Sequence, residues 1–351
     1  MHLTTEQTAK ISASTFLITG GAGFIGSHIA EFLLIAGARK VRVLDNLSTG
    51  HFRNIAPFAN HPRFEFTNGD IRDINSCKAA CQGMDYVFHQ AALGSVPRSI
   101  KDPVTINNVN TTGFLNMLLV AHDANIKRLV YASGATSFGS YNQASKTEQP
   151  ASPYAVSTYI NELYAEVFTR LYGMETIGLR YFNVFGQRQD PQSEYAAVIP
   201  QFVMQLINHQ SPAINGSAEY FYDFNYVENV VQANILAVLT TNPGAINQVY
   251  NIAFEETTSL HQLAGYLKEF LSAFDESIAN IEITPEDDGM HTKHSAAFTE
   301  KARELLGYEP RYSLRNGLLK SVGWYWAYLP QFDEEAKEKK LQVLHTTTLS
   351  A

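Results

Sequence analysis

The sequence predicts an α/β fold, a doubly wound parallel sheet followed by a smaller C-terminal α/β domain, on three observations. Short β-branched runs alternate with longer amphipathic stretches through the first half of the chain, the rhythm of βαβ units. A glycine-rich turn, Thr19-Gly20-Gly21-Ala22-Gly23-Phe24-Ile25-Gly26, directly follows the first of these runs. The chain of 351 residues, 45% hydrophobic and 17% charged, exceeds one ordinary domain and carries enough apolar material for two cores.

The expected strands are Thr15 to Thr19, Val41 to Asp45, Phe64 to Asn68, Tyr86 to Gln90, Arg128 to Ser133 and Thr176 to Tyr181. Helical periodicity marks Phe24 to Ala36, Val109 to Ala124 and Ala155 to Tyr172 between them. Six strands joined by crossovers imply a doubly wound sheet. After Tyr181 the rhythm changes to aromatic-rich loops, a helix near Val198 to Asn208 and mixed short elements. The first domain is therefore expected over residues 1–180 and the second, discontinuous, over 181–345. A segment of about 225–253, with the strand-like run Gln248 to Ala253, is expected back in the first sheet. Residues from about Glu334 onward are charged or polar and read as a frayed helix or tail.

Composition narrows the partners. Net charge is −8, and no run of Lys or Arg interleaves with aromatics as a phosphate-tracking groove requires, so nucleic acid is not expected. The segment Met1 to Thr15 is polar, and no apolar run reaches the roughly 18 to 20 residues of a membrane helix. A cytoplasmic protein without a membrane partner is the expectation. Cys77 and Cys81 stand four apart with no second Cys or His pair nearby, which reads as packed thiols and not as a metal set.

A strand, a glycine loop and a helix in succession point backbone N–H groups and the helix dipole at a pyrophosphate, and side chains would block the approach. Gly20, Gly23, Phe24, Ile25 and Gly26 form this Rossmann-type cradle. Asp45 ends the second strand 19 residues beyond Gly26, close to the spacing of about 20 expected of a carboxylate on the ribose hydroxyls. That carboxylate repels a 2′-phosphate, and Asn46-Leu47-Ser48-Thr49-Gly50 offers no Arg or Lys to reverse the sign. NAD is favoured over NADP, with Asn46, Ser48, Thr49 and Gly50 beside it. Asp70, followed by Ile71, suits either the adenine edge or a helix N-cap.

Four longer segments carry a resemblance: the glycine loop, His89-Gln90-Ala91-Ala92-Leu93-Gly94-Ser95-Val96-Pro97-Arg98-Ser99, Ser152-Pro153-Tyr154-Ala155, and Gly178-Leu179-Arg180-Tyr181-Phe182-Asn183-Val184-Phe185-Gly186. With Tyr195-Ala196-Ala197-Val198-Ile199-Pro200 they resemble the extended short-chain dehydrogenase/reductases. Within that family the chain is similar, over nearly its whole length, to bacterial UDP-N-acetylglucosamine 4-epimerases of polysaccharide biosynthesis. The resemblance implies reversible oxidation at sugar C4, with the hydride passed to NAD and returned to the other face of a rotated 4-keto sugar. It implies Tyr154 as the base, Gln90, Ala91, Ala92 and Tyr181 beside the cofactor, and Ser95, Val96, Ser133 and Val198 beside the sugar nucleotide. Asn183 would contact the phosphates or sugar, and Arg188 would lie near the nucleotide. A homodimer through Val109 to Ala124 and Ala155 to Tyr172 is implied as well. Taken singly, Tyr154 also reads as a helix-start aromatic, Asn183 as a turn residue and Arg188 as a solvated charge.

Three positions depart from the family. Thr158 stands where a lysine one turn after the tyrosine would stabilise the phenolate. Gly134 stands where a Ser or Thr would share the sugar proton, with Ser133 or Thr136 as neighbours that could substitute. Tyr222 replaces the arginine expected on the diphosphate, and Lys293, in Met290-His291-Thr292-Lys293-His294, retains one positive charge. An unassisted phenol titrates near 10, so only about 0.1% is ionised at pH 7. The sequence therefore implies an epimerase of weakened proton chemistry, or a non-catalytic homologue that binds NAD or a nucleotide sugar. Ala135 and Thr136 at the dehydratase Asp-Glu positions argue against dehydration.

Overall fold

The computed structural model describes residues 3–134, 150–190, 198–214, 220–283, 293–294 and 298–330. Ala135, Thr136, Tyr195 to Ala197, His291 and the tail from Glu334 lie outside them.

The strands are β1 (Thr15–Thr19), β2 (Lys40–Asp45), β3 (Phe64–Asn68), β4 (Tyr86–His89), β5 (Arg128–Gly134), β6 (Thr176–Tyr181), β7 (Val184–Phe185), β8 (Tyr220–Asp223), β9 (Asn225–Tyr226), β10 (Gln248–Ile252), β11 (Thr257–Ser259) and β12 (Lys293–His294). The helices are α1 (Thr5–Ala13), α2 (Phe24–Ile35), α3 (Ile74–Cys81), α4 (Val96–Lys101), α5 (Pro103–Asn107), α6 (Gly113–Asp123), α7 (Pro153–Tyr172), α8 (Val198–Ile207), α9 (Val227–Leu239), α10 (Leu260–Leu271), α11 (Glu300–Leu306) and α12 (314–330).

Seven strands form one sheet in the order β10-β6-β5-β4-β1-β2-β3. Every pairing in it is parallel. This is the doubly wound Rossmann order, and its interior strand β1 is buried along its whole length because helices cover both faces. The run at Gln248 forms β10, which pairs with β6 at the sheet edge.

One face of the sheet packs on α2 and α9, through Ile29, Leu33, Val230 and Ile235. The other face packs on α3, α6 and α7, through Cys77, Phe114, Met117 and Phe168. A second core gathers Phe185, Phe202, Leu206, Leu267, Phe270, Leu318 and Tyr325 from α8, α10, α12 and β7. Beside it lies a small sheet in the order β11-β8-β12.

Two elements differ from the expectation. The polar N-terminus forms α1, because Thr4 and Gln7 close a reciprocal capping box that apolar periodicity does not reveal. The helix expected over Val109 to Ala124 is present as α6, but its first turn is a wide helical turn over Asn108–Thr112 that continues from α5. Cys77 and Cys81 are buried free thiols on α3. Burial pushes both up to about 12, which leaves them inert as thiolates. No described helix is long and apolar enough to cross a membrane.

Candidate active site

A cleft of about 1200 Å³ opens at the carboxyl ends of the parallel strands, where open α/β sheets bind ligands. Of the residues picked out in the sequence, Gly20, Gly23, Phe24, Ile25, Gly26, Asp45, Asn46, Ser48, Thr49 and Gly50 line one end. Asp70, Ile71, Gln90, Ala91, Ala92, Ser95, Ser133, Gly134, Tyr154, Thr158, Tyr181, Asn183 and Arg188 line the remainder.

The turn after β1 needs its glycines for different reasons. Gly20 has φ +68, and a Cβ there would sit 2.6 Å from the Ala91 backbone nitrogen. A Cβ on Gly26 would collide with the Gly20 carbonyl oxygen, so only glycine lets α2 pack this close to the turn. Gly23 is the N-cap of α2, and no side chain caps that helix end. The first turn of α2 therefore presents its amides to the cleft, which fits a pyrophosphate.

Asp45 is buried, and its two oxygens accept the Ala22 amide at 2.9 Å and the Leu47 amide at 2.8 Å. Burial raises the carboxyl while these two amides oppose the shift. Each oxygen keeps a lone pair for a ribose hydroxyl. Gly50 closes over it: a Cβ there would lie 2.9 Å from Asp45 Oδ2.

Asp70 does not cap a helix. Asp73 caps α3, accepting the amides of Asn75 and Ser76, because the helix starts three residues later than an Asp70 cap requires. The Asp70 carboxylate instead accepts from the Arg72 guanidinium at 2.6 Å and from Asn46 Nδ2 at 2.8 Å. Arg72 above all holds it down at about 2.

Tyr154 occupies the first turn of α7, behind Ser152, whose hydroxyl accepts the Ala155 amide and caps the helix. Its phenol oxygen faces the loop after β4, where a Cβ on Gly94 would lie 3.9 Å away. Burial raises the phenol above its ordinary value. Thr158 follows one turn later with its hydroxyl donating back to the Ala155 carbonyl at 3.0 Å. Ser133, the neighbour of Gly134, donates to Glu162 Oε1 at 2.6 Å, and Arg180 grips both oxygens of that carboxylate at 2.8 and 2.6 Å. The serine's proton is committed to a buried ion pair below the cleft floor.

The other expected residues divide. Tyr181 exchanges hydrogen bonds with Gln90 and Asn234, bracing the cleft from behind. Ser95 caps α4 by accepting the Arg98 amide. Asn183 is a turn residue at φ +32 whose Nδ2 donates to the Asp223 carbonyl. Arg188 is no solvated charge, since its guanidinium bonds Glu31 on α2 at 2.7 Å. Val96, Val198 and Tyr222 do not line the cleft, and the latter two pack on the second core because β8 and α8 turn toward it. Lys293 lies on β12, paired with β8 opposite Tyr220.

Several lining residues carry no local sequence signal. Asn110, in the widened turn, binds both the amide and the carbonyl of Leu93 and so fixes the loop before Ser95. Its position off the helical period was the one available hint. His51 meets Asp190 at 3.1 Å across the cleft mouth, linking chain positions 139 residues apart. His89 bonds the Thr19 hydroxyl at 2.9 Å, and burial pushes its imidazole down to about 4, so it is neutral.

Comparisons with known proteins agree with this geometry. A putative UDP-glucose 4-epimerase of Methanocaldococcus jannaschii is 36% identical over 314 residues, covering 88% of this chain and 97% of that one. The solved UDP-N-acetylglucosamine 4-epimerase of Methanobrevibacter ruminantium, in complex with UDP-N-acetylmuramic acid, is 34% identical at a TM-score of 0.78, over 90% of this chain and 98% of that one. The UDP-glucose 4-epimerase of Thermus thermophilus, solved with NAD, is 30% identical at a TM-score of 0.74, over 90% of this chain and 99% of that one. The glycine cradle, the buried Asp45 carboxylate and these relatives identify the cofactor as NAD. The sequence model of the NAD dependent epimerase/dehydratase family matches residues 16–253, and the chain belongs to that family.

Proposed function

We propose that the protein is a NAD-dependent 4-epimerase of a UDP-N-acetylhexosamine, interconverting UDP-N-acetylglucosamine and UDP-N-acetylgalactosamine through a 4-keto sugar. The observation that carries the reading is the Tyr154 hydroxyl, set against the Gly94 turn in the same cleft as the glycine cradle. The chemistry NAD supplies when bound is reversible hydride acceptance from C4. Tyr154 takes and returns the C4 hydroxyl proton, Ser95 and Asn183 flank the sugar, and Arg188 meets the nucleotide end. Val96, Val198 and Tyr222 are left out of these contacts.

Thr158 and Gly134 bring Tyr154 neither charge nor a shared hydroxyl, and proton-transfer groups contribute about 10² to 10⁴ each. Turnover is accordingly slow. The inward-turned hydroxyls of Thr158 and Ser133 favour the second reading, a non-catalytic homologue that holds NAD or nucleotide sugar. Proton NMR of UDP-N-acetylglucosamine with the NAD-loaded protein separates the two: slow appearance of the C4 epimer, abolished by Tyr154→Phe, supports the enzyme. No product after long incubation at high protein concentration refutes it.

The assembly follows from the same reading. Leu119, Val156, Leu163 and Leu171 on α6 and α7 are exposed apolar side chains, which supports a homodimer paired through these helices. Sedimentation equilibrium at micromolar concentration checks it, and a monomer refutes it.

A further inference from the structure

Between α2, α9 and the segment ahead of α12 lies a second notch, of about 190 Å³, which shares no lining residue with the cleft. A cavity of about 150 Å³ holds one benzene ring. The notch therefore admits a single ring with small substituents, and neither a dinucleotide nor a nucleotide sugar fits inside it. Phe32, Ile35 and Tyr312 supply its apolar walls.

Most of its polar lining is already matched. Glu31 is bonded to Arg188 and Glu228 to Lys320, so neither carboxylate calls for a cation. Asn229 uses both ends of its carboxamide on Asn225, Arg311 and Tyr312. Two groups are left over, one on each helix. Gln232 of α9 is 7% exposed, and neither atom of its carboxamide has a hydrogen-bond partner among the described residues. Its Oε1 is closed off, whereas its Nε2 end keeps access to the notch that Gln232 lines. On α2, His28 Nε2 lies 3.0 Å from the Gln187 carbonyl oxygen. A carbonyl only accepts, so Nε2 carries the proton. Burial above all, with Arg188 nearby, pushes the imidazole down to about 4, so the ring is neutral and Nδ1 is an acceptor. Nδ1 has no hydrogen-bond partner among the described residues and is not closed off.

Polar groups in buried surroundings are almost always paired, so a donor and an acceptor left over in one ring-sized notch mark a ligand with the complementary pair. We propose that the notch is a second binding site, for an uncharged heterocycle with a lactam edge such as a pyrimidine nucleobase presents. The ring carbonyl accepts from Gln232 Nε2, the adjacent ring N–H donates to His28 Nδ1, and the ring lies among Phe32, Ile35 and Tyr312. The site owes nothing to chemistry in the cleft, so a protein that proves inactive toward sugar nucleotides leaves the inference untouched.

The test is saturation-transfer NMR of free uracil with the NAD-loaded protein. Uracil is expected to give a signal, and 1,3-dimethyluracil, whose ring N–H groups are blocked, to give none. A lost hydrogen bond of this kind corresponds to about tenfold in affinity, so Gln232→Leu and His28→Phe are each expected to weaken uracil about tenfold. No signal from uracil at its solubility limit overturns the proposal, and so do equal signals from uracil and the dimethyl compound. A uracil signal that both variants keep also overturns it, since the base then binds elsewhere. If the variants fail to fold by circular dichroism, a crystal of the native NAD-loaded protein soaked in uracil decides: the base in the notch supports the site, and an empty notch overturns it.

Discussion

At the scale of single residues, the proton chemistry proposed for the cleft turns on two hydroxyls that point the wrong way. Thr158 bonds its own helix and Ser133 bonds Glu162, so neither offers a proton or a charge to Tyr154. Restoring both functions by Thr158→Lys with Gly134→Ser places an ammonium one turn from the phenol and a hydroxyl at the end of β5. We expect the double variant to raise kcat by about 10² or more, read by the same NMR assay. A variant no faster than its parent shows that the proposed deficits are not what limits turnover. The glycine loop and Asp45 were legible because their signal is local: a turn, a helix start and a fixed spacing. The Ser133, Glu162 and Arg180 cluster was not, because its members come from β5, α7 and β6. No pattern within one element announces a buried ion pair assembled from three. Asp70 and Asp73 show the same limit at short range, since both precede α3 and only the backbone path decides which caps it.

At the scale of elements, the N-terminus of α2 is the seat we propose for the cofactor, and Gly26 decides how it packs. Gly26→Ala drives a methyl into the Gly20 carbonyl. Overpacking of this kind costs about 1–3 kcal/mol, and the shift moves the amides aimed at the pyrophosphate. The expected outcome is a folded protein of lower melting temperature that purifies without NAD, measured by scanning calorimetry and by nucleotide content after acid release. Undiminished NAD content contradicts the seat assigned to α2. The strands and the long helices α2 and α7 were readable from period and length. The break between α5 and α6 was not, because the widened turn exists to bring Asn110 to Leu93, a contact that hydrophobic periodicity does not encode.

At the scale of the molecule, stability carries a pH signature from buried groups. Folded His89 is pushed down to about 4 by burial, whereas an unfolded imidazole titrates near 6.5. Between those values the unfolded chain binds a proton that the folded one refuses. His89's contribution is therefore complete above about pH 6.5 and is lost as pH falls toward 4, by up to about 1.4 kcal/mol per pH unit. Asp223, raised to about 6 by burial, works in the opposite sense over the acid part of this range. Comparing His89→Gln with the native protein isolates the histidine. Urea unfolding at pH 5 and pH 7 with saturating NAD is expected to show a smaller pH difference in the variant, and equal differences contradict the buried neutral imidazole.

The seventh strand of the main sheet is supplied from the far half of the chain, and this bears on how the protein is made. On the ribosome, residues up to Tyr181 emerge with β6 as a bare sheet edge, its amides and carbonyls unpaired and open to neighbouring nascent chains. That edge is sealed only once translation has passed Ile252 and β10 has docked. Synthesis of the intervening segment, which includes α8 and α9, sets the length of that exposure. A premature stop within it leaves a nearly finished nucleotide-binding half with a sticky border, a product for the cell's chaperones and proteases.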